Sequence, residues 1–465
     1  MVLARFSRLS LLAAAALSTM SVHATESMKI PDNVNVTMRL EEIQENPIVH
    51  QLLRRGVVAG SGKVSIGYYP NWAIYDGSGN FKPSDIAVKG LTHILYSFAD
   101  TNPSTGRLTL TDQWADEQKT FGNEKASGGN NLYGCIGALY KMKLQYRGLK
   151  VLLSVGGYTY SQNGHFKFVT SPKARKTFVA DAVKIVEDYG FDGIDFDFEY
   201  PASAEEGRGL GALFTELRKA FNALQKKKGD KTPYQLTAAV GAGADGYGHL
   251  DVPAMDAALN YWNLMAYDYS GSWSRVTGNH ANLKRDGLGG VSTVDALAWY
   301  KGAGATPAKM ALGIPIYGRG FENTDGLGKS YKGVGSGTSE SGIYSYKNLP
   351  YVGSEIFENT ASGSSYSYDK SKREFISYDT PAIAALKGKY VADKGLAGTM
   401  YWDLSTDKKG KDAIVASAAG ASGALDKSDN HINYPNSKWD NVRNNMGQKK
   451  ARREHVSHAR APHAL

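Results

Sequence analysis

Short apolar stretches recur along the chain, and segments with helical patterns separate several of them. The eight clearest stretches have the length of buried strands and cover residues 64–69, 92–98, 149–155, 194–198, 235–240, 262–267, 310–316 and 396–402. Apolar residues at helical spacing follow in between, most clearly at 210–224 and 178–186. Eight strands that alternate with helices are typical of one closed barrel. The pattern therefore predicts the α/β class and a (β/α)8 TIM barrel.

One interval breaks this alternation. From residue 320 to 394 the chain is rich in Gly, Ser and Tyr and has the pattern of short strands and turns. Because a structureless loop of that length is uncommon in a compact domain, we predict a small α+β insertion between barrel strands 7 and 8, forming a wall beside the active face. Residues 56–319 then carry strands 1–7, and 395–446 carry strand 8, the last helix and a closing segment.

Three acidic residues stand at alternate positions where the fourth stretch ends. In FDGIDFDFEYP (191–201), Asp195, Asp197 and Glu199 alternate with apolar residues, so one strand face would carry all three carboxylates. A strand with water on its acidic face would show the same pattern, but strands are depleted in Asp, and crowded like charges destabilise a sheet. Active sites of TIM barrels lie at the carboxyl ends of the strands. The cluster therefore favours proton-transfer chemistry on a polar bond.

The ends of the chain differ from its body. Arg5 and Arg8 precede an apolar run that closes with Val22-His23-Ala24, which predicts a signal peptide at 1–24 and a secreted, extracellular protein. Residues 25–55 are a polar leader that ends near Arg54-Arg55. It is either a propeptide released by cleavage at this dibasic pair or an exposed linker. Residues 447–465 carry +4 of the net charge of +9 and are predicted to be a basic disordered tail.

Composition narrows the choice of partners. With the termini set aside, the body carries little net charge, which argues against a nucleic-acid partner. No stretch approaches the twenty apolar residues of a membrane span, so we predict neither nucleic acid nor membrane as a partner and a monomeric protein. Cys135 is the single cysteine, so the chain has no internal disulfide.

No cofactor or metal is predicted. The segment GAGADG (241–246) matches the dinucleotide-binding pattern G-x-G-x-x-G, but that pattern requires a helix to open at once, and residues 247–253 have the pattern of a loop. The sequence contains no Walker-type loop and no His-Glu-x-x-His pair.

Several motifs together resemble family 18 of the glycoside hydrolases, the chitinases. Asp192-x-x-Asp195-x-Asp197-x-Glu199 is identical to the family signature D-x-x-D-x-D-x-E. Further motifs follow at the expected strands: GYYPNW (67–72), YSFA (96–99), SVGG (154–157), MAYD (265–268) with GSW (271–273), GIPIYGR (313–319) and GTMYW (398–402). The resemblance covers roughly residues 64–446. The Tyr-rich segment resembles the insertion of the deep-cleft subgroup, and residues 434–446 resemble the ending of secreted fungal members.

The resemblance implies an enzyme that hydrolyses β-1,4 bonds between N-acetylglucosamine units of chitin and its oligosaccharides, with retention of configuration. Glu199 would be the proton donor, and the substrate's own acetamido oxygen would be the nucleophile. Asp197 would orient that group and Asp195 would share a proton with Asp197, while Tyr267 would donate to the acetamido oxygen. Substrate binding would fall to Tyr68, Trp72, Phe98, Gly156, Gly157, Tyr158, Met265, Asp268, Trp273, Tyr317, Arg319 and Trp402.

Two departures and two alternatives accompany the resemblance. Phe198 and Tyr158 stand where relatives commonly carry Trp; Phe198 is expected to point away from the acids, whereas Tyr158 puts the aglycone-side stacking and the preferred chain length in doubt. A chitin-binding lectin on the same barrel would usually lack an acid of the signature, and this chain keeps all four. An endo-β-N-acetylglucosaminidase acting on N-glycans shares the acids, but the insertion and the aromatic positions favour chitin.

Overall fold

The computed structural model describes residues 62–447, apart from Gly289. The predicted signal peptide, leader and basic tail lie outside these residues, except for Gly447. The strands are β1 (Val64–Pro70), β2 (His93–Thr101), β3 (Leu108–Leu110), β4 (Lys150–Gly156), β5 (Gly193–Asp197), β6 (Gln235–Gly241), β7 (Tyr261–Met265), β8 (Met310–Pro315), β9 (Tyr317–Phe321), β10 (Ile343–Ser345), β11 (Glu355–Asn359), β12 (Ser364–Asp369), β13 (Glu374–Ser377) and β14 (Gly398–Trp402). The α-helices are α1 (Gly134–Gln145), α2 (Tyr158–Gln162), α3 (Pro172–Tyr189), α4 (Ala204–Lys228), α5 (Ala244–Tyr247), α6 (Val252–Ala258), α7 (Thr293–Gly302), α8 (Pro381–Asp393), α9 (Ile414–Ser422) and α10 (Asp440–Arg443).

Within the described part of the chain, eight parallel strands close into a barrel. Their order is β1, β2, β4, β5, β6, β7, β8 and β14, and the circle closes because β1 pairs with both β2 and β14. Every residue of β1, β4 and β6 is buried, between the barrel interior on one side and the helices on the other, which explains why these strands are continuous apolar stretches. The predicted TIM barrel is confirmed, and each predicted strand agrees with its observed counterpart to within three residues at either end.

The long helix α4 shows why the predicted helical patterns form helices. Its amino end is capped by Ser203, whose side chain accepts a hydrogen bond from the Glu206 backbone N–H, and its carboxyl end is followed by Gly229 in the left-handed region at φ 67°. The predicted apolar stripe is buried throughout: Leu210, Leu213, Phe214, Leu217, Phe221 and Leu224. The caps therefore fix the ends of the helix, and burial of the stripe orients it against the barrel.

A second sheet is formed between β8 and β14. It is antiparallel, with the strand order β10, β9, β13, β12 and β11, so that β11 is an edge strand. Helix α8, which also lies within the predicted range 320–394, packs closely on α9. Gly388 permits this close approach, because a Cβ at that position would lie only 2.2 Å from the Ala418 carbonyl oxygen. The domain boundaries given above stay predictions.

Two predicted details are wrong. Strand β5 ends at Asp197, where its parallel partner β4 ends at Gly156, so Glu199 stands beyond the strand that the alternating pattern predicts to contain it. The predicted loop after the glycine-rich segment contains the end of the short helix α5 and the start of α6. Asp251 caps α6 by accepting the Ala254 backbone N–H, and this cap is the signal that the sequence analysis missed. Among the described residues, no helix is long and apolar enough to cross a membrane.

Candidate active site

Asp195 lies at the centre of the barrel and takes four hydrogen bonds. Its Oδ2 accepts from Tyr68 Oη at 2.9 Å and Ser154 Oγ at 2.7 Å, and its Oδ1 accepts from Thr237 Oγ1 at 2.5 Å and Asn263 Nδ2 at 3.1 Å. Burial raises the pKa of Asp195, and these four donors oppose the rise without cancelling it. Asp195 is therefore fixed by four surrounding strands and does not face solvent.

Asp197 is buried two residues further on, in a different environment. Its Oδ1 has no hydrogen-bond partner among the described residues. Burial raises the pKa of Asp197 well above its ordinary value, and the negative charges of Glu199 and Asp195 raise it further. The protonated, neutral form is therefore favoured, and an unpaired oxygen remains for a ligand.

Glu199 stands just beyond β5, where it is half-buried. Its backbone is held on both sides, because its N–H donates to Ser161 Oγ at 2.9 Å and its carbonyl oxygen accepts from Gln162 Nε2 at 2.7 Å. Burial raises the pKa of Glu199, the negative charge of Asp268 adds to the rise, and a hydrogen bond with Tyr200 opposes it, which gives a pKa of about 7. A carboxyl group that still holds its proton near neutral pH is suited to act as a general acid.

The two glycines predicted as binding residues permit close approach of the backbone. Gly157 donates its backbone N–H to the Asp197 carbonyl oxygen at 2.9 Å. A Cβ at Gly156 would lie 2.3 Å from that same oxygen, and a Cβ at Gly157 would lie 2.7 Å from the Phe98 ring. Both glycines have φ values in the left-handed region, 109° and 86°. They therefore place the carboxyl end of β4 against Asp197 and Phe98.

Tyr267 and Met265 line the barrel interior at the carboxyl end of β7. The Tyr267 hydroxyl lies 3.7 Å from Met400 Sδ, which is a weak acceptor. Burial raises the pKa of Tyr267, and the nearby charge of Asp197 raises it further, so the hydroxyl keeps its proton and can donate it. Met265 packs in the same interior cluster as Tyr68 and Trp402.

Asp268 follows Tyr267 in a left-handed conformation, with φ 62°. Its Oδ1 accepts from Arg319 Nε at 2.6 Å and from Tyr317 Oη at 2.5 Å, and the buried His280 Nδ1 lies 3.6 Å away. Burial would raise the pKa of Asp268, but the hydrogen bond and charge of Arg319 outweigh it, with a smaller contribution from the nearby His280, and hold the pKa below its usual value. Asp268 is therefore a stable anion whose charge acts on Glu199.

Aromatic side chains form a patch over the end of the barrel. Trp402 stacks on Phe98 with 5.7 Å between ring centroids and lies 5.4 Å from the Tyr68 ring and 6.4 Å from the Trp72 ring. Trp72 is 41% exposed, so part of its ring is free to contact a ligand. A partly exposed aromatic patch of this kind is suited to stacking on a sugar ring.

Two predicted aromatic residues project further into solvent. Trp273 is 59% exposed, and the Arg319 guanidinium lies 4.7 Å from its ring centroid. Tyr158 is 64% exposed at the start of α2. Phe198 points away from the acids as expected, since it is buried and stacks on Phe166 at 4.5 Å.

Several residues that contact the acids were not predicted as site residues. Thr237 and Asn263 bind Asp195 from β6 and β7, Ser161 binds the Glu199 backbone, and His280 approaches Asp268. Thr237 and Asn263 could have been found as polar residues inside apolar strands. Thr237 lies directly beside Asp195 in the neighbouring strand. His280 and Ser161 lie in segments that follow strands, where the alternating pattern gives no such signal.

Comparison with known proteins assigns the family. Residues 64–407 match the family described as Glycosyl hydrolases family 18, and the chain therefore belongs to glycosyl hydrolase family 18.

Relatives of known name share most of the chain. "Chitinase 1" of Aphanocladium album is 41% identical over 394 residues, which cover 83% of this chain and 92% of that protein. The catalytic domain of psychrophilic chitinase B from Arthrobacter TAD20 has a TM-score of 0.70 at 26% identity and covers 80% of this chain and 99% of its own. A mutant class V chitinase from Nicotiana tobaccum in complex with NAG4 has a TM-score of 0.66 at 25% identity and covers 78% and 99%.

Proposed function

We propose that the protein is a secreted chitinase that hydrolyses β-1,4 bonds between N-acetylglucosamine units and retains the anomeric configuration. The observation that carries the proposal is the contrast at the end of β5, where Glu199 has a pKa of about 7 and Asp197 is buried with an unpaired oxygen. The relatives' names and the NAG4 complex support an N-acetylglucosamine polymer as the substrate.

Glu199 is the general acid in this proposal. Cleavage of a glycosidic bond needs a proton on the leaving oxygen, and Glu199 holds one near neutral pH. It follows the carboxyl end of β5, and Trp402 of the aromatic patch lies at the carboxyl end of β14, so both are at the same end of the barrel. After the bond breaks, the Glu199 carboxylate takes a proton from the water that completes hydrolysis.

The nucleophile comes from the substrate, because neither neighbouring carboxyl group is suited to that role. Asp197 favours its neutral form, which is a poor nucleophile, and Asp268 is held by Arg319 and Tyr317. The acetamido oxygen of the bound sugar attacks the anomeric carbon and forms an oxazolinium ion. Asp197 accepts a hydrogen bond from the acetamido N–H and passes its own proton to Asp195, so that Asp197 becomes negative as the positive charge develops. Tyr267 donates a hydrogen bond to the acetamido oxygen.

Asp195 supports Asp197 from below in this scheme. The negative charge of Asp195 contributes to the raised pKa of Asp197, and in this scheme the two acids share a proton. The four donors around Asp195 keep its position fixed while Asp197 changes its charge.

The two alternatives are less well supported. A lectin would need no acid with a raised pKa, yet the pKa of Glu199 is raised by its surroundings. A glycan-specific endo-β-N-acetylglucosaminidase would use the same acids, but the partly exposed Trp72 and Trp402 and the exposed Trp273 give stacking surface for more than one sugar.

The configuration of the first product tests the mechanism. We expect proton NMR of early products from chitin oligosaccharides to show the β anomer, because two inversions at one carbon cancel. Fully deacetylated chitosan lacks the nucleophile and should not be cleaved, while partly acetylated chitosan serves as the matched positive control. An initial α anomer, or cleavage of the fully deacetylated polymer, would contradict the proposal.

A further inference from the structure

A second pocket lies beside the antiparallel sheet. It has a volume of about 380 Å³, which is within the range of about 300–1,000 Å³ common for ligand sites. The residues that line it and matter here are Asn279, Asp286, Phe357, Glu358, Ala361 and Tyr366. None of its lining residues belongs to the proposed active site, so the pocket is a separate feature of the surface.

Asn279 carries an unsatisfied acceptor in this pocket. Its side chain is 5% exposed, and its Nδ2 donates to Asp286 Oδ2 at 2.9 Å. Its Oδ1 has no partner within the described residues, which is unusual for a buried polar atom. The next residue, His280, approaches Asp268 of the proposed active site instead. A ligand that donates a hydrogen bond would satisfy Asn279 Oδ1.

The two charged groups of the lining are carboxylates and are therefore acceptors, whereas Asn359, Thr360, Ser364 and Tyr366 can both donate and accept. Asp286 uses Oδ1 to accept the Leu288 backbone N–H at 3.0 Å, and Glu358 uses Oε1 to accept from Thr380 Oγ1 at 2.5 Å. No Lys, Arg or His lines the pocket in the described part of the chain. This charge disfavours phosphates and acidic polymers, and it favours a ligand rich in hydroxyl or N–H donors.

A flat aromatic surface forms one side of the pocket. Phe357 of β11 and Tyr366 of β12 are directly opposite each other, and their rings stack at 4.9 Å with 15° between the planes. Tyr366 also packs on Phe375 at 4.6 Å, so the pair is held from behind. Because β11 is an edge strand, Phe357 remains partly exposed. An aromatic face beside hydrogen-bond acceptors matches the apolar face and the polar edge of a sugar ring.

We propose that this pocket is a second carbohydrate-binding site, which takes N-acetylhexosamine units of an oligosaccharide. One sugar ring stacks on Phe357, and its hydroxyl or acetamide N–H groups donate to Asn279 Oδ1 and to the Asp286 and Glu358 carboxylates. The carbohydrate class follows from the pocket, and the N-acetylhexosamine assignment rests on the proposed function. Such a site holds a second part of the polymer, or a neighbouring chain, while the cleft acts on the first.

The test uses Glu199→Gln as a background that does not hydrolyse its ligand. Calorimetric titration with the N-acetylglucosamine tetramer should show one binding event in the cleft and a second, separate event in the pocket. Adding Phe357→Ala should weaken the second event about 2- to 10-fold and leave the first unchanged. Ile356→Ala is the matched control, because Ile356 is exposed on the same strand and does not line the pocket.

A second variant distinguishes a loss of binding from a loss of folding. Ala361→Leu adds an apolar side chain to the lining without removing a hydrogen bond, and it should also weaken the second event. Identical titrations of the background and both variants, each with normal thermal unfolding, would overturn the site. Equal affinity for cellotetraose, which lacks acetamido groups, would overturn the N-acetylhexosamine assignment. Hydrolysis of chitin by the wild-type enzyme is measured separately: hydrolysis without a second event rejects the pocket alone, and a second event without hydrolysis rejects the proposed function alone.

Discussion

The carboxyl end of β5 and the loop after β7 both contribute acids to the same end of the barrel, but the two regions shift the pKa values of their acids in opposite directions. Burial disfavours the charged form in both places. At β5 no cation compensates, so the pKa values of Asp197 and Glu199 rise. After β7, Arg319 and His280 surround Asp268, and its pKa falls. Since burial acts in the same sense in both places, the neighbours of each carboxyl group decide in which direction its pKa moves.

This difference gives one cleft both a proton donor and a permanent anion. A cation placed beside Glu199 would lower its pKa, so that Glu199 would lose its proton at neutral pH. Loss of Arg319 would leave Asp268 without its main partner. The negative charge of Asp268 also raises the pKa of Glu199, so the two regions are coupled. The proposed chemistry depends on keeping the two environments separate.

The largest expected effect follows from removing the proton donor. Glu199→Gln keeps the shape of the side chain but cannot give up a proton, so turnover of chitin should fall about 10²–10⁴-fold while oligosaccharide binding persists. The measurement is the initial rate of product release together with calorimetric affinity. Glu205→Gln, which changes an exposed acid at the start of α4, is the control and should behave like the wild type.

The same variant has a stability effect of known sign. Because the pKa of Glu199 is raised in the folded state, its contribution to stability is fully present below the unfolded pKa of about 4.3 and is lost as pH rises through about 7. Gln carries no such dependence. The unfolding temperature of Glu199→Gln should therefore rise relative to the wild type between pH 4 and pH 8, and an unchanged difference would contradict the raised pKa.

A smaller effect is expected from breaking the cationic environment of Asp268. Arg319→Met removes the charge and the hydrogen bond but keeps much of the apolar stem. Loss of a fully buried pair costs about 3–5 kcal/mol, but the Asp268 side chain is 37% exposed, so solvent screening should reduce the loss in unfolding free energy at pH 7 to about 1–2 kcal/mol. Urea unfolding provides the measurement.

Arg285→Met is the matched control for this variant. The Arg285–Asp295 pair is exposed on both sides, at 67% and 46%, and its loss should cost at most about 1 kcal/mol. The sign of the pH dependence is also fixed. The pKa of Asp268 is lowered on folding, so the contribution is present above the unfolded pKa of about 3.9 and declines as pH falls below that value. An Arg319→Met deficit that grows toward acid pH would refute this account.

The barrel and the acidic residues could be predicted from the sequence, but the surroundings that set the pKa of each acid could not. The eight strands were recognisable because burial on both faces makes each one a continuous apolar stretch. Asp197 and Asp268 were both found in motifs, yet their pKa values move in opposite directions. That contrast depends on Arg319, which reaches Asp268 across 51 positions of sequence. A contact between residues so far apart in sequence leaves no periodic pattern from which it could be predicted.

The end of β5 shows a second limit of pattern-based prediction. Alternation of polar and apolar residues continues to Glu199, but the pairing of β5 with both β4 and β6 stops at Asp197. The position of Glu199 is then set by Ser161 and Gln162, which lie in α2. Alternation along one strand does not show where its partner strand ends, so the last residues of a predicted strand are the least reliable.

The smallest expected effect tests the coupling between the two regions directly. The alkaline limb of kcat/KM should follow deprotonation of Glu199 near pH 7 and fall about tenfold per pH unit above it. Asp268→Asn removes a negative charge that favours the protonated form, and it also leaves the Arg319 charge uncompensated. Both changes lower the pKa of Glu199, so the alkaline limb should move to lower pH. The move should be a fraction of a pH unit, because burial is the larger cause of the raised pKa of Glu199.

Asp245→Asn, which changes an exposed residue after β6, is the control and should leave the alkaline limb in place. A limb that stays fixed or moves to higher pH in Asp268→Asn would mean that the two acids titrate independently, and the charge of Asp268 would then have no part in keeping the proton on Glu199.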